Sequence, residues 1–530
     1  MSADRPPDLS GAASVVLRAS LLMTGAAVLS RVLGWVRLLV IGAEFGATSE
    51  LDAYLAAFRI PDAIFQLVVA GALSAALIPV YASYRARGEE DEGWQLASNV
   101  INLVVVALAA LSAVMAVAAP WLVPIVAPGF DAETTALTIR LTQVMLISPV
   151  FIGLGAVISG LLQTHGTFGP TAVAPLVYNL AIIAAAVFVA PVLGVEALAA
   201  GVVVGSIGHL AIQLPALRRL GPGWRPRIDL RHRGVRRVTA LMGPRLFGLA
   251  AGQVNLIVST ALASGLATGS ITAFTYAFQL SQLPVGIIGV SLAVALFPTL
   301  SRDAALGRAS AIRRQVNASL RVLFFVSAPL AALMIALHDP LASVFFEYGL
   351  FSAESADRTA SALAWFALGV PAHVVVHVLT RAFYAMQDTR TPVAWAIVAV
   401  VANIGLMLVL IGPMGVEGLA LAISVSATLE VVGLLVALRT RLGGLDGRTL
   451  LASILRSSIA TLAASAAMFG AYLVLSAALP GLEGNAAGRL LTLLIPAGAG
   501  GVVYLVAAAI LRAPELDTMR RIPHRRPGAA

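Results

Sequence analysis

The sequence predicts an all-α polytopic membrane protein with 14 transmembrane helices, arranged as two pseudo-symmetric six-helix lobes plus two C-terminal helices. Of its 530 residues, 59% are hydrophobic and only 12% are charged, about half the charged fraction of a soluble domain. The apolar residues form runs of roughly 20, the length that crosses a bilayer as a helix. These runs lack the alternation of barrel strands, so helices are predicted.

Fourteen such runs lie along the chain, and each is a predicted span. They are separated by short polar segments that contain most of the charged residues. In chain order the predicted spans are 15–42, 51–83, 94–119, 136–163, 170–190, 195–217, 239–264, 271–300, 314–337, 359–386, 391–412, 415–438, 450–477 and 489–511.

Charge alternates between successive loops. All 35 basic residues are arginine, and they concentrate after spans 2, 6, 8 and 12 and in the C-terminal tail, with eight between Arg218 and Arg237. The intervening loops are poor in arginine. Because cytoplasmic loops of membrane proteins are enriched in basic residues, both termini are predicted to be cytoplasmic. The same rule accounts for the net charge of +9, so no nucleic-acid partner is expected.

Several chemistries are excluded or unsupported. With no cysteine, disulfides and thiolate metal sites are excluded. The sequence shows no nucleotide-binding motif, no nucleophile elbow and no metal-ligand motif. We therefore expect no enzyme activity, no cofactor and no metal site, and we expect any transport to be driven by the membrane potential or a monovalent cation gradient.

The first six spans resemble the next six at an offset near 220 residues. "LLQTHGTFGPTAVAPLVYNL" (161–180) resembles "AMQDTRTPVAWAIVAVVANI" (385–404), and "GVEALAAGVVVGS" (194–206) resembles "GVEGLALAISVSA" (415–427). Two parallel repeats around a central site are the usual design of alternating-access transporters.

The repeat and the loops divide the chain into six segments. The predicted limits are 1–14 for a cytoplasmic tail, 15–219 for the N-lobe, 220–238 for a basic cytoplasmic loop, 239–440 for the C-lobe, 441–512 for two further helices, and 513–530 for a basic cytoplasmic tail.

Arginines inside the first two spans are the main functional candidates, because an ionisable group within a membrane is costly and usually functional. Arg31 and Arg37 are six residues apart, about 120° around an ideal helix, and a bend at Gly34 would help both to line one cavity. The planar guanidinium suits phosphate, so a phosphate-bearing substrate is one interpretation. Salt bridges to Asp52 and Asp62 are the other. Arg59 has the same two alternatives, since Asp62 lies three residues further on.

These segments are similar to a known family. "SRVLGWVR" (30–37), "DAYLAAFRIPDAIFQLVVAGALSAALIPVY" (52–81), "APGF" (127–130) and "FYAMQDTRTPV" (383–393) resemble the MurJ or MviN family of lipid II flippases within the MOP exporter superfamily. The resemblance implies that the chain moves undecaprenyl-pyrophosphate-linked peptidoglycan precursor from the inner to the outer leaflet of the bacterial cytoplasmic membrane for cell wall synthesis. It also implies that the last two helices line a groove for the lipid tail.

The resemblance assigns roles to particular residues. Arg31, Arg37 and Asp52 match substrate-binding positions of the family's cationic cavity, and Arg59 is a further candidate. Two positions depart from the family, since Gln66 and Gln279 stand where arginine is usual. A third departure is Ser259, at the place of an aspartate that forms part of a cation site. Asn403 and Ser426 are candidate remnants of that ion-binding site.

Three rival functions remain open at this point. A flippase for another polyprenyl-linked saccharide would also use cavity arginines. A membrane glycosyltransferase would need a catalytic carboxylate on a large outer loop, for which 338–358 is the best candidate. An inactive relative could organise the cell-wall machinery as a scaffold. The expected partners are lipid II, membrane lipids and cell-wall synthesis proteins, and a monomer is expected.

Overall fold

The computed structural model describes residues 9–67, 74–221, 223–226 and 228–516, and all regular structure in these ranges is helical. Within the helices, the side chains of residues 9–21, 74–76, 241–249 and 251 lie outside this description. The chain forms two compact units, residues 1–261 and 262–530.

The first unit contains helices α1 to α11 and most of α12. A π-helical turn at Ala185–Val189 joins α8 to α9. The bounds are α1 Leu9–Phe45, α2 Ser49–Ala57, α3 Arg59–Ile64, α4 Ser74–Ala86, α5 Glu90–Val126, α6 Ala132–Met145, α7 Ser148–Thr164, α8 Gly169–Ala184, α9 Ala190–Leu193, α10 Glu196–Ala211, α11 Leu214–Arg219 and α12 Arg233–Ser264.

The second unit contains the end of α12 and helices α13 to α20. A π-helical turn at Val285–Val290 joins α13 to α14, and a short 3₁₀ turn at Leu482–Gly484 precedes α20. The bounds are α13 Ser270–Pro284, α14 Ser291–Ala305, α15 Ala309–Ala336, α16 His338–Phe346, α17 Ala353–Ala385, α18 Arg390–Arg441, α19 Gly447–Ala478 and α20 Ala486–Ile510.

Eleven helical segments of the described residues are long and apolar enough to cross a membrane. One of them, α18, has 52 residues and contains predicted spans 11 and 12, joined where the backbone turns at Gly415. The two predicted spans outside this set are span 2, which is divided among α2, α3 and α4, and span 7, which lies in α12. The exact count of 14 therefore stays a prediction.

The internal repeat is visible in the backbone. Gly194 has φ 62° and ψ −146°, and Gly415 has φ 59° and ψ −129°, a region that residues with a side chain rarely adopt. The carboxylates of Glu196 and Glu417 lie at matching positions, 3.6 and 3.7 Å from where a Cβ on the two glycines would be. The two "GVE" segments therefore form the same turn.

Helices extend into several segments that were predicted as loops or tails. Helix α1 begins at Leu9, within the predicted tail 1–14, and α12 begins at Arg233, within the predicted loop 220–238. Glu515 of the predicted tail 513–530 is buried and accepts a hydrogen bond from Ser453 Oγ at 2.8 Å. The remainder of the two tails, 1–8 and 517–530, lies outside the described residues.

Candidate functional site

Predicted span 2 is interrupted at Phe58, and the sequence explains why. Pro61 has no backbone N–H, so the carbonyl of Ala57 lacks its normal partner four residues ahead. The hydroxyl of Thr142, on α6, lies 3.5 Å from that carbonyl. Helix α2 ends at Ala57, and α3 begins at Arg59. Phe58 itself keeps helical angles, with φ −69° and ψ −20°, so Arg59 lies beside a local gap in the hydrogen bonding of a predicted span.

The Arg59 side chain is held in a defined orientation. Its Nε donates to Thr260 Oγ1 at 2.9 Å. Thr260 is 1% exposed, and its hydroxyl donates in turn to the carbonyl of Leu256 at 2.9 Å. Arg59 also interacts electrostatically with Asp62, three residues further along the chain. One edge of the guanidinium is thus anchored within the first unit. This arrangement is compatible with both interpretations of Arg59, the salt bridge to Asp62 and the binding of a phosphate.

Arg37 approaches the same region from α1. Its guanidinium carbon lies 5.9 Å from the ring centroid of Tyr178 on α8, within cation–π range. It also interacts electrostatically with Tyr54 on α2 and with Asp62 on α3. Arg37, Tyr54, Arg59, Asp62 and Tyr178 are hereafter called the polar cluster. It joins four helices of the first unit.

The other predicted residues of the first unit lie around this cluster or apart from it. Gln66 Nε2 lies 3.5 Å from Asp62 Oδ1, a long hydrogen bond that connects it to the cluster. Asp52 is 3% exposed and lies in the first turn of α2, where the helix dipole favours a carboxylate. Arg31 is exposed on α1. The helix is continuous through Gly34.

Gln279 belongs to the second unit and has different surroundings. It is exposed on α13. The preceding residue, Phe278, stacks on Phe274 at 6.3 Å between ring centroids and contacts Phe366 at 5.5 Å. The segment "AFQL" (277–280) corresponds to "AFRI" (57–60), so Gln279 is the repeat counterpart of Arg59.

The predicted ion-binding residues are buried, and their polar groups bond within their own helices. Ser259 is in the first unit and donates to the carbonyl of Asn255 at 2.8 Å. Ser426 donates to the carbonyl of Ile423 at 3.0 Å, and Asn403 Nδ2 lies 3.7 Å from the sulfur of Met407. Among the described residues, no group of three or more His, Cys, Asp or Glu could hold a metal ion. A cation site at these three residues stays a prediction.

The two C-terminal helices pack closely on each other. At Gly500 of α20, a Cβ would come within 2.2 Å of the Met468 side chain on α19, so the glycine permits the contact. A cavity of about 730 Å³ lies on another side of α19, between it and α15, α17 and α18. Its lining is mainly aliphatic and includes Leu320, Phe324, Leu435, Ile454 and Leu462. The described residues thus form an apolar groove beside α19. Its other walls are α15, α17 and α18, which the sequence analysis did not indicate.

Three residues of the site were missed by the sequence reasoning. Tyr54 and Thr260 lie close in sequence to Asp52 and Ser259, which were singled out, and Tyr178 lies within the repeated segment 161–180. Tyrosine and threonine are unremarkable in apolar spans, because both can be packed at low cost. Their role is visible only in the structure, where Tyr54 and Tyr178 lie near Arg37 and Thr260 is hydrogen-bonded to Arg59.

The chain combines apolar membrane-length helices, two units with a shared repeat, and arginines within predicted spans. Helical repeats of this kind are a feature of secondary transporters, and this is the class of protein that the architecture defines.

Comparison with known proteins identifies the family. The family model "Lipid II flippase MurJ" matches residues 41–481, and the chain belongs to this family. It is 37% identical over 437 residues to the lipid II flippase MurJ of Burkholderia cenocepacia, covering 80% of this chain and 84% of that one. It is 32% identical over 495 residues to a probable lipid II flippase MurJ of Rhizobium tropici, covering 92% and 91%.

Solved structures agree on the fold. A lipid II flippase MurJ in an inward closed conformation superposes with a TM-score of 0.75 at 24% identity, over 92% of this chain and 98% of that one. An inward-facing MATE-family multidrug transporter of the MOP superfamily superposes with a TM-score of 0.67 at 16% identity, over 77% and 94%. Both likenesses show a MOP-type helical fold.

Proposed function

We propose that this protein flips lipid II from the inner to the outer leaflet of the bacterial cytoplasmic membrane by alternating access. The observation that carries the proposal is the polar cluster, which places two arginines within the membrane-spanning part of a chain of this family. A pyrophosphate group is the chemical partner that such arginines suit, because guanidinium groups form paired hydrogen bonds with phosphate oxygens.

In this mechanism the polar cluster binds the pyrophosphate of the head group. Arg37, which lies near Tyr178 and Asp62, is proposed to contact the phosphate directly. Arg59, oriented by the hydrogen bond from its Nε to Thr260, is proposed to contribute a second guanidinium group. Arg31, Asp52, Gln66 and Gln279 complete the set of residues proposed to contact the head group.

The prenyl tail remains in hydrocarbon surroundings throughout the cycle. The apolar groove beside α19 is the proposed place for it, because its volume and aliphatic lining suit a hydrocarbon chain. The tail then needs no desolvation of polar groups, and only the head group crosses between the leaflets.

The cycle needs no bond-making chemistry, so we propose a transporter without enzyme activity that works as a monomer. The membrane potential or a monovalent cation resets the empty carrier. Both termini face the cytoplasm in this proposal, because the arginine-rich loops then lie on that side. Cell-wall synthesis proteins are the proposed protein partners.

The test is rescue of a bacterium whose own lipid II flippase can be shut off. Outer-leaflet lipid II is assayed at matched membrane levels for the wild type, Arg31→Ala, Arg37→Ala and a control, Arg140→Ala. Arg140 is an exposed residue that pairs with Glu196 at 3.6 Å. Rescue by the wild type and the control, but not by Arg37→Ala, supports the proposal.

A wild type that reaches the membrane and restores no outer lipid II would refute the substrate assignment. The same cells would then be tested with a different polyprenyl-linked saccharide, since the arginines would suit that head group equally. Failure with every lipid-linked saccharide would favour the scaffold interpretation.

A further inference from the structure

A second cavity, of about 550 Å³, lies in the first unit and takes no part in the proposed transport cycle. It is bounded by α5, α7, α11 and the loop that follows α11. Its lining is almost entirely apolar, with a tryptophan from the helix and another from the loop, and includes Trp94, Val105, Ile158, Leu217, Trp224 and Ile228. It opens to the surface at Val106, Trp224 and Ile228, which are 54%, 52% and 46% exposed.

Hydrogen bonds fix the loop in place as one wall of the cavity. Asn102 on α5 donates to the carbonyl of Arg225 at 2.8 Å and accepts from Trp224 Nε1 at 3.2 Å. Ser98 Oγ accepts from the backbone N–H of Arg225 at 3.2 Å, and Asn99 Oδ1 accepts from that of Asp229 at 2.6 Å. Hydrogen bonds from polar residues on one face of α5 thus hold the loop, so this wall of the cavity has a defined position.

Exposed arginines adjoin lining residues of the cavity in sequence. Arg218 and Arg219 end α11 directly after the lining residue Leu217, and Arg225 lies between the lining residues Trp224 and Pro226. Neither these three nor Arg231 has a carboxylate partner within 4 Å among the described residues. Their charge is therefore available to an anion that approaches this loop.

The dimensions suit an acyl chain. Trp94 and Val106 mark the two ends of the lining along α5, and 12 residues of helix span about 18 Å. One leaflet of the hydrocarbon core is about 15 Å deep. A chain that enters from the arginine-rich surface would therefore reach the middle of the bilayer.

We infer that this cavity is a binding site for an anionic phospholipid, in the leaflet on the side of the arginine-rich loops. One acyl chain lies between Trp94, Ile158 and Leu217, and the phosphate lies against Arg218, Arg219 and Arg225. The inference goes beyond the proposed transport function, because none of these residues belongs to the polar cluster. Charge complementarity selects the occupant, since a zwitterionic phospholipid would bring a second cationic group next to the arginines together with its phosphate.

The test uses full-length protein in which Trp35, Trp121, Trp365 and Trp395 are replaced by phenylalanine, so that Trp94 and Trp224 are the only tryptophans. It is reconstituted into phosphatidylcholine vesicles that contain a rising fraction of phosphatidylglycerol with brominated acyl chains. Bromine quenches tryptophan fluorescence on contact. A parallel series uses brominated phosphatidylcholine.

We expect half-maximal quenching at a phosphatidylglycerol fraction well below that needed for phosphatidylcholine. An arginine near an anionic surface contributes about a fivefold preference at low salt, so three arginines set an upper limit of about 100-fold. The triple variant Arg218→Gln, Arg219→Gln, Arg225→Gln should lose this preference. The control Arg302→Gln with Arg314→Gln, which removes two exposed arginines from the end of α14 and the start of α15, should retain it.

Two further measurements keep the inference open to refutation if the triple variant does not fold. Raising the salt from 0.05 to 0.5 M should weaken the preference of the unaltered protein, and Val105→Phe should reduce quenching by both lipids because it fills the cavity. Equal quenching by the two lipids would overturn the inference. So would displacement of the brominated lipid by undecaprenyl phosphate but not by phosphatidylglycerol, because the occupant would then be a prenyl lipid.

Discussion

The two units share a backbone pattern but differ in the chemistry they carry inside the membrane. In the first unit, "AFRI" places Arg59 beside Thr260 and Asp62. In the second unit, "AFQL" places Gln279 beside a stack of phenylalanine rings formed by Phe274, Phe278 and Phe366. The same position of the repeat is thus a charged, anchored residue in one unit and a neutral, exposed one in the other.

The "GVE" turns show the opposite behaviour, because they are alike in both units. Gly194 and Gly415 differ by only 3° in φ. A tight turn between two spans has the same steric requirement wherever it occurs, whereas a buried charge is costly and one set of arginines is enough to bind one head group. The duplicated fold therefore repeats its backbone constraints and concentrates its charge in one unit.

The largest expected effect is loss of lipid II binding in Arg59→Leu. A hydrogen bond to a charged group contributes about 1.5–3 kcal/mol, so we expect affinity to fall by about 10- to 150-fold. Gln279→Leu, at the matching position, should reduce affinity by about threefold at most. Affinity is measured by titration of purified protein with lipid II, and equal losses in the two variants would contradict the asymmetry between the units.

The next effect concerns the shared turns. Gly194→Ala and Gly415→Ala should each destabilise the fold by about 1–3 kcal/mol, because alanine is strained at a positive φ with a strongly negative ψ. Thermal unfolding in detergent, followed by loss of the monodisperse chromatography peak, measures this. Gly252→Ala is the control, since its Cβ would meet nothing within 4 Å and its φ is not positive. A large loss in one turn variant alone would show that the two turns are not equivalent.

A smaller effect is expected from Thr260→Val, which removes the hydroxyl that accepts from Arg59 Nε. Lipid II affinity should fall by about fivefold, in line with about 1 kcal/mol for one hydrogen bond. Thr260→Ser retains the hydroxyl and should restore near-normal affinity. If both variants bind lipid II equally well, Thr260 does not position Arg59.

The smallest effects concern two matching loops and their dependence on pH. After α7, His165 Nε2 lies 2.9 Å from the hydroxyl of Tyr81, and burial together with the charge of Arg85 lowers the pKa of His165 below 6.5. After α17, Asp388 accepts from the backbone and hydroxyl of Thr391 and pairs with Arg441. Partial burial raises the pKa of Asp388, but these hydrogen bonds and the arginine outweigh it, so the pKa lies below 3.8.

Both groups bind fewer protons in the folded state, so both favour folding at higher pH. The contribution of His165 should be lost as the pH falls below 6.5, and that of Asp388 only as it falls below 3.8. His165→Asn should remove the first slope in a plot of melting temperature against pH, and Asp388→Asn the second. A first slope that persists in His165→Asn would assign it to another group. At pH 7, Asp388→Asn should cost up to about 1 kcal/mol, because it removes the ion pair with Arg441.

Much of the architecture follows from the sequence by itself. The length of the apolar runs predicts membrane helices, the alternating arginines predict a topology, and the repeat predicts two equivalent turns, which the backbone of Gly194 and Gly415 confirms. These features are local, because each depends on the composition of one segment or on the conformational freedom of one residue. The arginines within spans stand out for the same reason, since a charged residue within an apolar run is recognisable before its partners are known.

Only the tertiary structure decided what surrounds those arginines. Pro61 by itself explains why the Ala57 carbonyl lacks its helical partner, but only the structure shows that the hydroxyl of Thr142, on another helix, lies 3.5 Å from that carbonyl. Tyr178 and Thr260 reach the cluster from segments more than 100 residues away in sequence. Such contacts depend on how apolar helices pack, and many packings bury similar apolar area. One packing is selected by the shape complementarity of the helices and by a few polar contacts between segments that are distant in sequence.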